Sequence, residues 1–229
     1  MFNKTYVLDL IKNRRATKRM LPNYTISDED LRVITESMRW TSMSYGVWSY
    51  RILVVPKGEL RDALTPAFMH QPSFINSSHV ILLISSKEEF IRNQQMAYSF
   101  DHAIPEHAAS VRQDRFKAVF NNWEMNQVVP EEWSSKQTYI ALGSAMITAA
   151  HLGIDSAPYE GFNRFEIDQI LEEYHLIDQK NERLSVAIGF GKADLNDKMV
   201  HFFDKTRMDE DKFTIFVQGN DTINSRIKK

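Results

Sequence analysis

The chain of 229 residues contains no cysteine. This absence excludes a disulfide framework, a thiolate nucleophile and any metal site with cysteine ligands. A reducing compartment suits such a composition, so we expect a cytoplasmic protein.

The sequence also lacks a large excess of one charge and any long apolar run. The formal net charge is −2, which has the wrong sign and size for a nucleic-acid partner. No apolar stretch approaches the roughly 20 residues that span a bilayer. Polar residues at Asp9, Lys12 and Asn13 interrupt the N-terminal region, which therefore does not read as a signal peptide. We expect no nucleic-acid partner and no membrane partner.

Common catalytic motifs are missing as well. There is no GxGxxG after a strand, no phosphate-binding loop GxxxxGK[ST], no HExxH and no GxSxG. His102 and His107 are five residues apart, which does not place them on one face of a helix. The other histidines show no metal-like pairing either, so we expect no metal site.

The hydrophobic pattern predicts one α+β domain over residues 1–229, without a repeat or a clear linker. Ser27 precedes three acidic residues and should cap a helix. The near-continuous apolar run 79–84 is typical of a strand that is covered on both faces. The polar stretch 87–128 favours two helices or a mobile insertion, a possible lid. Predicted helices lie at 5–15, 28–40, 58–68, 130–152 and 164–174, and predicted buried strands at 51–55, 79–84 and 184–190, with loops at 41–49 and 156–163.

The helix that begins at Pro130 has the strongest signal, and Gly153 is a natural residue to end it. Apolar and small residues occupy most faces of this helix, which predicts a core helix or a helix on a dimer axis. The apolar segment 213–217 lies in a C-terminal arm, 208–229, that we expect to reach a partner subunit.

Four short segments could carry a ligand, although each has an ordinary alternative. Arg14–Arg19 holds four cations in six residues, which could equally be a solvated face. The Ser/Gly loop Thr41–Tyr50 could offer hydroxyls and amides, or simply connect two elements. Pro158–Phe162 contains a glycine that permits close backbone approach to a flat ligand, or only forms a turn. Lys205 and Arg207 point the same way if extended, as in a phosphate clamp, or form a solvated pair.

Their order along the chain resembles that of the nitroreductase family. The family's RRSxRxF-like helix end corresponds to RRATKRM, and its serine loop before a strand to TSMSYGVWSYRILVV. The segment HQPSFINSSHVILLIS is similar to NQPQIxDASH and the strand that follows it. The most specific match is QTYIALGSAMITAAHLGIDSAPYEGF, and VAIGFGKAD and KTR complete the set. The resemblance extends from about Tyr6 to Arg207.

This resemblance implies an intertwined α+β homodimer with a central mixed β-sheet and two FMN molecules at the subunit interface. Arg14 and Arg207 would hold the FMN phosphate, with Lys205 nearby. Lys18 would approach the pyrimidine edge of the flavin. The Ser42–Ser44 loop would come from the other subunit, and the turn at Glu160 and Gly161 would direct a backbone N–H at N5. Implied catalytic groups are Glu160, Gly161 and Lys18, and the implied FMN-binding residues are Arg14, Arg15, Ala16, Lys18, Ser42, Met43, Ser44, Gly46, His70, Gln71, Pro158, Tyr159, Glu160, Gly161, Lys205 and Arg207.

Several positions depart from the family pattern. Ala16 replaces a phosphate-binding serine, Met43 replaces the first serine of the loop, and His70 stands where an asparagine is usual. The family's QPW is Trp48–Tyr50 here, whereas Gln71 is retained. These changes surround the flavin edge and leave the phosphate cations intact.

The resemblance implies an NAD(P)H-dependent enzyme that passes a hydride through FMN N5 to a nitroaromatic, quinone or similar acceptor by a ping-pong mechanism. One alternative is a flavin-binding redox sensor or FMN reservoir with little NAD(P)H turnover, since Met43, Trp48 and His70 could close the acceptor pocket. Another is a structural protein that has lost FMN. The sequence does not name the acceptor or the preferred nicotinamide.

Overall fold

The computed structural model of the chain describes residues 5–217. Four strands form one sheet, and helices cover both of its faces. The strands are β1 (Tyr50–Pro56), β2 (His79–Ser86), β3 (Asp155–Tyr159) and β4 (Glu182–Gly191). The helices are α1 (Tyr6–Asn13), α2 (Asp28–Arg39), α3 (Glu59–Leu64), α4 (Pro72–Asn76), α5 (Glu88–Phe90), α6 (Met96–Ala103), α7 (Ala109–Met125), α8 (Pro130–His151), α9 (Arg164–Glu173) and α10 (Glu210–Phe213).

The sheet has the strand order β1-β2-β4-β3, and all three pairings are antiparallel. The predicted α+β class is confirmed. The pairing differs from the mixed sheet that the resemblance implied, because within residues 5–217 the parallel contact is an isolated bridge between Ala16 and Ser156. That bridge places the residues after α1 beside the edge strand β3.

The two central strands β2 and β4 are buried on both faces. One apolar cluster joins them to α3, α4 and α9 through residues such as Leu64, Phe74 and Ile167. A second cluster joins the other face to α2 and α8 through Ile34 and Ala145. The prediction for the run at 79–84 is therefore confirmed, because layers of helix exclude water from both sides of β2.

Strand β1 was also expected to be buried, and this expectation is wrong. It lies at an edge of the sheet, and of its seven residues Val55 alone is fully buried. An edge strand has a neighbour on one side, so its side chains are covered less completely.

The segment 156–163 was expected to be a loop, but its first half is strand. Residues of β3 pair with β4 from Asp155↔Gly191 to Tyr159↔Ala187. Pro158 is compatible with this strand because β3 is an edge strand, where a missing N–H need not break the ladder. The turn at Glu160 and Gly161 follows directly and is thereby fixed to the sheet.

Helix ends agree with the sequence signals in two cases. The Ser27 hydroxyl accepts a hydrogen bond from the Asp30 amide at 3.1 Å and caps α2. Helix α8 spans 22 residues and is followed by Gly153 at φ 71°. The helix predicted at 58–68 ends earlier, at Leu64, and turns then lead to Met69 and His70, both at positive φ.

The polar stretch 87–128 is helical over most of its length, with α5, a π-helical turn at 91–95, α6 and α7. These helices pack with Trp133 of α8 in a third apolar cluster, which includes Phe100 and Trp123. Within residues 5–217, no helix combines the length and the apolar character needed to cross a bilayer. Of the expected C-terminal arm, residues 218–229 lie outside the described part, and Phe213 ends the short helix α10.

Candidate functional site

A cationic cavity of about 360 Å³ lies where the chain leaves α1. Helix α1 ends at Asn13 and the backbone of Arg14 is extended, so the chain leaves the helix at this point. The segment 201–207 closes the other side. The lining contains five cationic side chains and one carboxylate: Arg14, Arg15, Ala16, Lys18, His201, Phe202, Phe203, Asp204, Lys205 and Arg207.

Arg14 is the most confined cation of this cavity. Its Nε atom is buried and has no hydrogen-bond partner among the described residues. Burial lowers the pKa of Arg14, and the charge of Arg207 lowers it further. In the described part of the chain, Arg14, Lys205 and Arg207 form no ion pair with a carboxylate. A bound anion would therefore accept a hydrogen bond from the Arg14 Nε and would reduce the repulsion between Arg14 and Arg207.

Lys205 is engaged with the backbone rather than facing the cavity with free donors. Its Nζ donates to the carbonyls of Ile11 at 2.5 Å, Lys12 at 2.8 Å and Arg14 at 2.7 Å. Burial lowers the pKa of Lys205, and the neighbouring arginines lower it further, Arg14 most. The segment 205–207 is thus tied to the end of α1.

A second cavity, of about 400 Å³, lies against β3 and α8. Lys18 lines both cavities, so the cationic cavity and this one adjoin at that residue. Its walls bring together residues of five segments that are distant in sequence: Lys18, Gln71, Tyr139, Leu142, Pro158, Tyr159, Glu160, Gly161 and Val186. We refer to it as the ring cavity, because its walls are mainly uncharged and suit a flat ring.

The turn that follows β3 is held from two sides in the ring cavity. The Tyr139 hydroxyl donates to Glu160, and the Gln71 side-chain amide donates to the Gly161 carbonyl at 2.8 Å. Burial raises the pKa of Tyr139 to about 12, with a further contribution from the bond to Glu160, so this hydroxyl stays protonated at neutral pH. The Gly161 N–H has no acceptor among the described residues.

Packing within the chain does not require a glycine at position 161. A Cβ atom built there would meet only the Gln71 Nε2 atom, at 3.9 Å, and φ lies outside the left-handed region. The space beside Gly161 is therefore left open by the protein. An open backbone of this kind permits close approach of a flat ligand.

The structure does not bring every predicted residue to these cavities. Met43 and Gly46 line a separate groove of about 840 Å³ with Trp40 and Trp48. The Ser44 amide donates to Gln137 at 2.9 Å, which fixes the serine loop against α8. Ser42 belongs to this loop and lines neither cavity.

The remaining predicted residues are placed as follows. Gln71 lines the ring cavity, whereas the neighbouring His70 is exposed and lines neither cavity of this chain. Arg15 donates to the Phe203 carbonyl, which ties the two walls of the cationic cavity. Ala16 contributes backbone through its bridge to Ser156. The roles that the resemblance gives to these residues stay predictions.

Sequence reasoning missed several lining residues. Tyr139 and Leu142 lie in the block 137–162 that carried the resemblance, but nothing in their spacing distinguished them from core residues. Val186 is a β4 residue behind the ring cavity. His201, Phe202 and Phe203 gave no pattern, because they lie in an irregular segment.

Metal chemistry has no obvious site in the described chain. Among residues 5–217, no group of three or more histidine, aspartate or glutamate side chains is arranged to hold an ion.

Comparison with known proteins identifies the family to which this chain belongs. Residues 11–192 match the Nitroreductase family, and the chain belongs to it. A Bacillus subtilis protein provisionally named as an NAD(P)H nitroreductase, YfkO, is 33% identical over 202 residues, covering 82% of this chain and 89% of that protein.

Solved structures show the same fold. A provisionally named nitroreductase, ydfN, from Bacillus subtilis has a TM-score of 0.77 and 19% identity, covering 94% of this chain and 100% of that one. A provisionally named nitroreductase from Exiguobacterium sibiricum, in complex with FMN, has a TM-score of 0.71 and 19% identity, covering 94% and 99%.

Proposed function

We propose that this protein is an FMN-dependent oxidoreductase that oxidises NAD(P)H and reduces small electron-poor acceptors such as nitroaromatics or quinones. The observation that carries the proposal is the pair of adjoining cavities that share Lys18. One is strongly cationic and suits a phosphate, and the other is mainly uncharged and suits a flat ring. Family membership and the name of the Bacillus subtilis relative support the same reading.

The residues present fit FMN at both ends. At the phosphate end, the buried Nε of Arg14 lacks a partner in the described chain and Arg207 adds a second guanidinium. At the ring end, the Gly161 N–H lacks an acceptor in that part of the chain and the space beside it is open. FMN is the group named in the Exiguobacterium sibiricum complex of the same fold. Bound FMN would supply the hydride chemistry at N5.

The side chains of this protein would then bind, orient and set the local field. Arg14 and Arg207 bind the phosphate with charge-assisted hydrogen bonds. Tyr139 and Gln71 hold the turn at 160–161 in place before the ligand arrives, which lowers the cost of orienting the Gly161 N–H. Lys18 places a positive charge where the flavin becomes negative on reduction.

We further propose that the serine loop completes the site from a second copy of the chain. Ser42, Met43, Ser44 and Gly46 line neither cavity of their own chain, and two of them line the groove beside Trp40 instead. A homodimer with the loop reaching the partner's ring cavity accounts for both observations. The arm at 208–229, of which residues 218–229 lie outside the described part, is proposed to reach the partner subunit, and the helices at 87–128 are proposed to form a lid.

Steady-state kinetics with NADH or NADPH and a nitroaromatic or quinone acceptor test this proposal. A ping-pong mechanism predicts parallel double-reciprocal lines when both substrates are varied. A flavin-loaded protein that turns over neither nicotinamide, with any of several acceptors, would favour the redox sensor or FMN reservoir. A protein that neither contains nor binds FMN would contradict both functions.

A further inference from the structure

Lys205 makes contacts that differ from those of a phosphate ligand. Its ammonium group has three N–H donors. Three backbone carbonyls at the end of α1, those of Ile11, Lys12 and Arg14, lie within 2.5–2.8 Å of Nζ. Each donor is therefore matched by one carbonyl, and none is free for an anion unless a carbonyl is released.

Those carbonyls are the groups that would otherwise disfavour an anion at this place. The last C=O groups of an α-helix lack intrahelical partners and give the helix end a partial negative charge. Helix α1 ends against the cationic cavity, since Asn13 is its last residue and Arg14 lines the cavity. A phosphate bound there would face this negative helix end unless a cation covered it.

We propose that Lys205 is a positioning residue that caps the C-terminus of α1 and so makes the helix end compatible with an anion. The same contacts hold the segment 205–207 against α1, which sets the position of Arg207 relative to Arg14. Arg207 makes no such contacts with α1: in the described chain its side chain bonds only to the neighbouring Thr206 carbonyl. The proposal rests on the proposed function for the identity of the anion, but the cap itself does not.

The thermal stability of the full-length, FMN-free protein distinguishes a helix cap from a cation with free donors. The two kinds of residue should change Tm in opposite directions when they are replaced. Lys205, Arg14 and Arg207 lie close enough to repel one another without an anion: burial lowers the pKa values of Arg14 and Lys205 most, and the neighbouring cations lower them further. Removing a cation with free donors relieves that repulsion, so Arg207→Ala should leave Tm unchanged or raise it at low salt. Removing a cap exposes helix carbonyls, so Lys205→Met should lower Tm by about 2–6 °C.

Two further measurements tie the cap to the site. Amide hydrogen exchange at residues 10–14 should become faster in Lys205→Met and stay unchanged in Arg207→Ala. FMN affinity of the folded Lys205→Met protein should fall about three- to thirtyfold, a loss of the size expected for a charge at a helix end. Lys205→Arg can still donate to the carbonyls, so it should restore most of the Tm and of the FMN affinity.

The outcomes are distinguishable. A higher Tm in Lys205→Met, as in Arg207→Ala, with unchanged exchange at residues 10–14, would overturn the cap and make Lys205 an ordinary phosphate ligand. A lower Tm and faster exchange with wild-type FMN affinity would overturn the positioning role. If neither Lys205→Met nor Arg207→Ala changes FMN affinity, the phosphate site proposed above is wrong, whatever the stability data show about the cap.

Discussion

Arg207 is the residue whose removal bears most directly on phosphate binding. It is exposed, and among residues 5–217 its side chain bonds to no other structural element, so Arg207→Ala should leave the fold intact. Charge-assisted hydrogen bonds contribute roughly 1.5–3 kcal/mol each, which predicts FMN binding weaker by about ten- to a hundredfold. Titration of the FMN-free protein measures this, with Arg115→Ala on α7 as a control of equal charge change. Equal affinities for the two variants would remove Arg207 from the phosphate site.

Lys18 should act on the reduction of the flavin more than on its binding. It lines both cavities, as a residue at the pyrimidine end should, and a cation there stabilises the reduced form more than the oxidised form. Lys18→Met is therefore predicted to lower the two-electron potential and to slow flavin reduction by NAD(P)H. Lost stabilisation of a developing anion typically costs about 2–4 kcal/mol in rate terms.

Potentiometric titration of the FMN-loaded variants measures the effect of Lys18. Lys180→Met removes an exposed lysine that lines neither cavity and serves as the control. A change in potential below about 10 mV, which is roughly 0.5 kcal/mol for a two-electron couple, would mean that Lys18 does not tune the flavin.

For individual residues, the sequence indicates which side chains belong to the candidate site better than it predicts their contacts. The cations at 14, 18, 205 and 207 stand out because their type and order match a known pattern. That Lys205 donates to three carbonyls depends on where α1 ends in space, which no local pattern encodes. Tyr139 likewise becomes part of the site only when α8 is packed beside the turn that follows β3.

Among the elements, the turn that follows β3 carries the sharpest prediction. Gly161→Ala should fold normally, because a Cβ there meets nothing nearer than 3.9 Å, and yet it should weaken FMN binding or slow flavin reduction by intruding on the ligand. Overpacking of about 1–3 kcal/mol corresponds to roughly five- to two-hundredfold. Thermal unfolding and FMN titration measure the two effects.

Gly189→Ala in β4 is the matched contrast. Its Cβ would lie 2.6 Å from the Tyr159 hydroxyl and would also meet Ser77, inside the core. We therefore expect a clear fall in Tm for Gly189→Ala and almost none for Gly161→Ala. A comparable loss of stability in both would show that Gly161 is needed for the fold rather than for a ligand.

Predictions that rest on strong local signals agree with the structure. Predictions that depend on how strands pair in the sheet do not. The cap at Ser27 and the glycine after α8 mark helix ends because they act within a few residues. Strand β3 was missed because Pro158 and the following glycine resemble a loop, and only pairing with β4 makes the segment a strand. The exposure of β1 was missed because strand order cannot be deduced from the apolar content of one strand.

At the scale of the whole molecule, a single chain leaves large apolar side chains uncovered. Trp40 is 76% exposed, Ile140 on α8 is 46% exposed, and the exposed face of α1 includes Val7 and Ile11. Exposed apolar surface of this extent is typical of an interface. We predict an obligate homodimer that buries more than about 2,000 Å² in total.

Light scattering at micromolar concentration tests the dimer. Trp40→Glu should shift the protein toward monomer and should lower the FMN content at the same time, if the serine loop of the partner completes the site. A wild-type protein that is monomeric with FMN bound would contradict the dimer, and a monomeric Trp40→Glu with full FMN affinity would contradict only the shared site.

Rapid mixing of the purified protein with NADH or NADPH under anaerobic conditions tests whether the bound flavin accepts a hydride from NAD(P)H. We expect a yellow protein whose visible flavin absorbance is bleached by at least one nicotinamide and returns when a quinone or nitroaromatic is added. A yellow protein that neither nicotinamide bleaches, or a colourless protein that binds no added FMN, would contradict it.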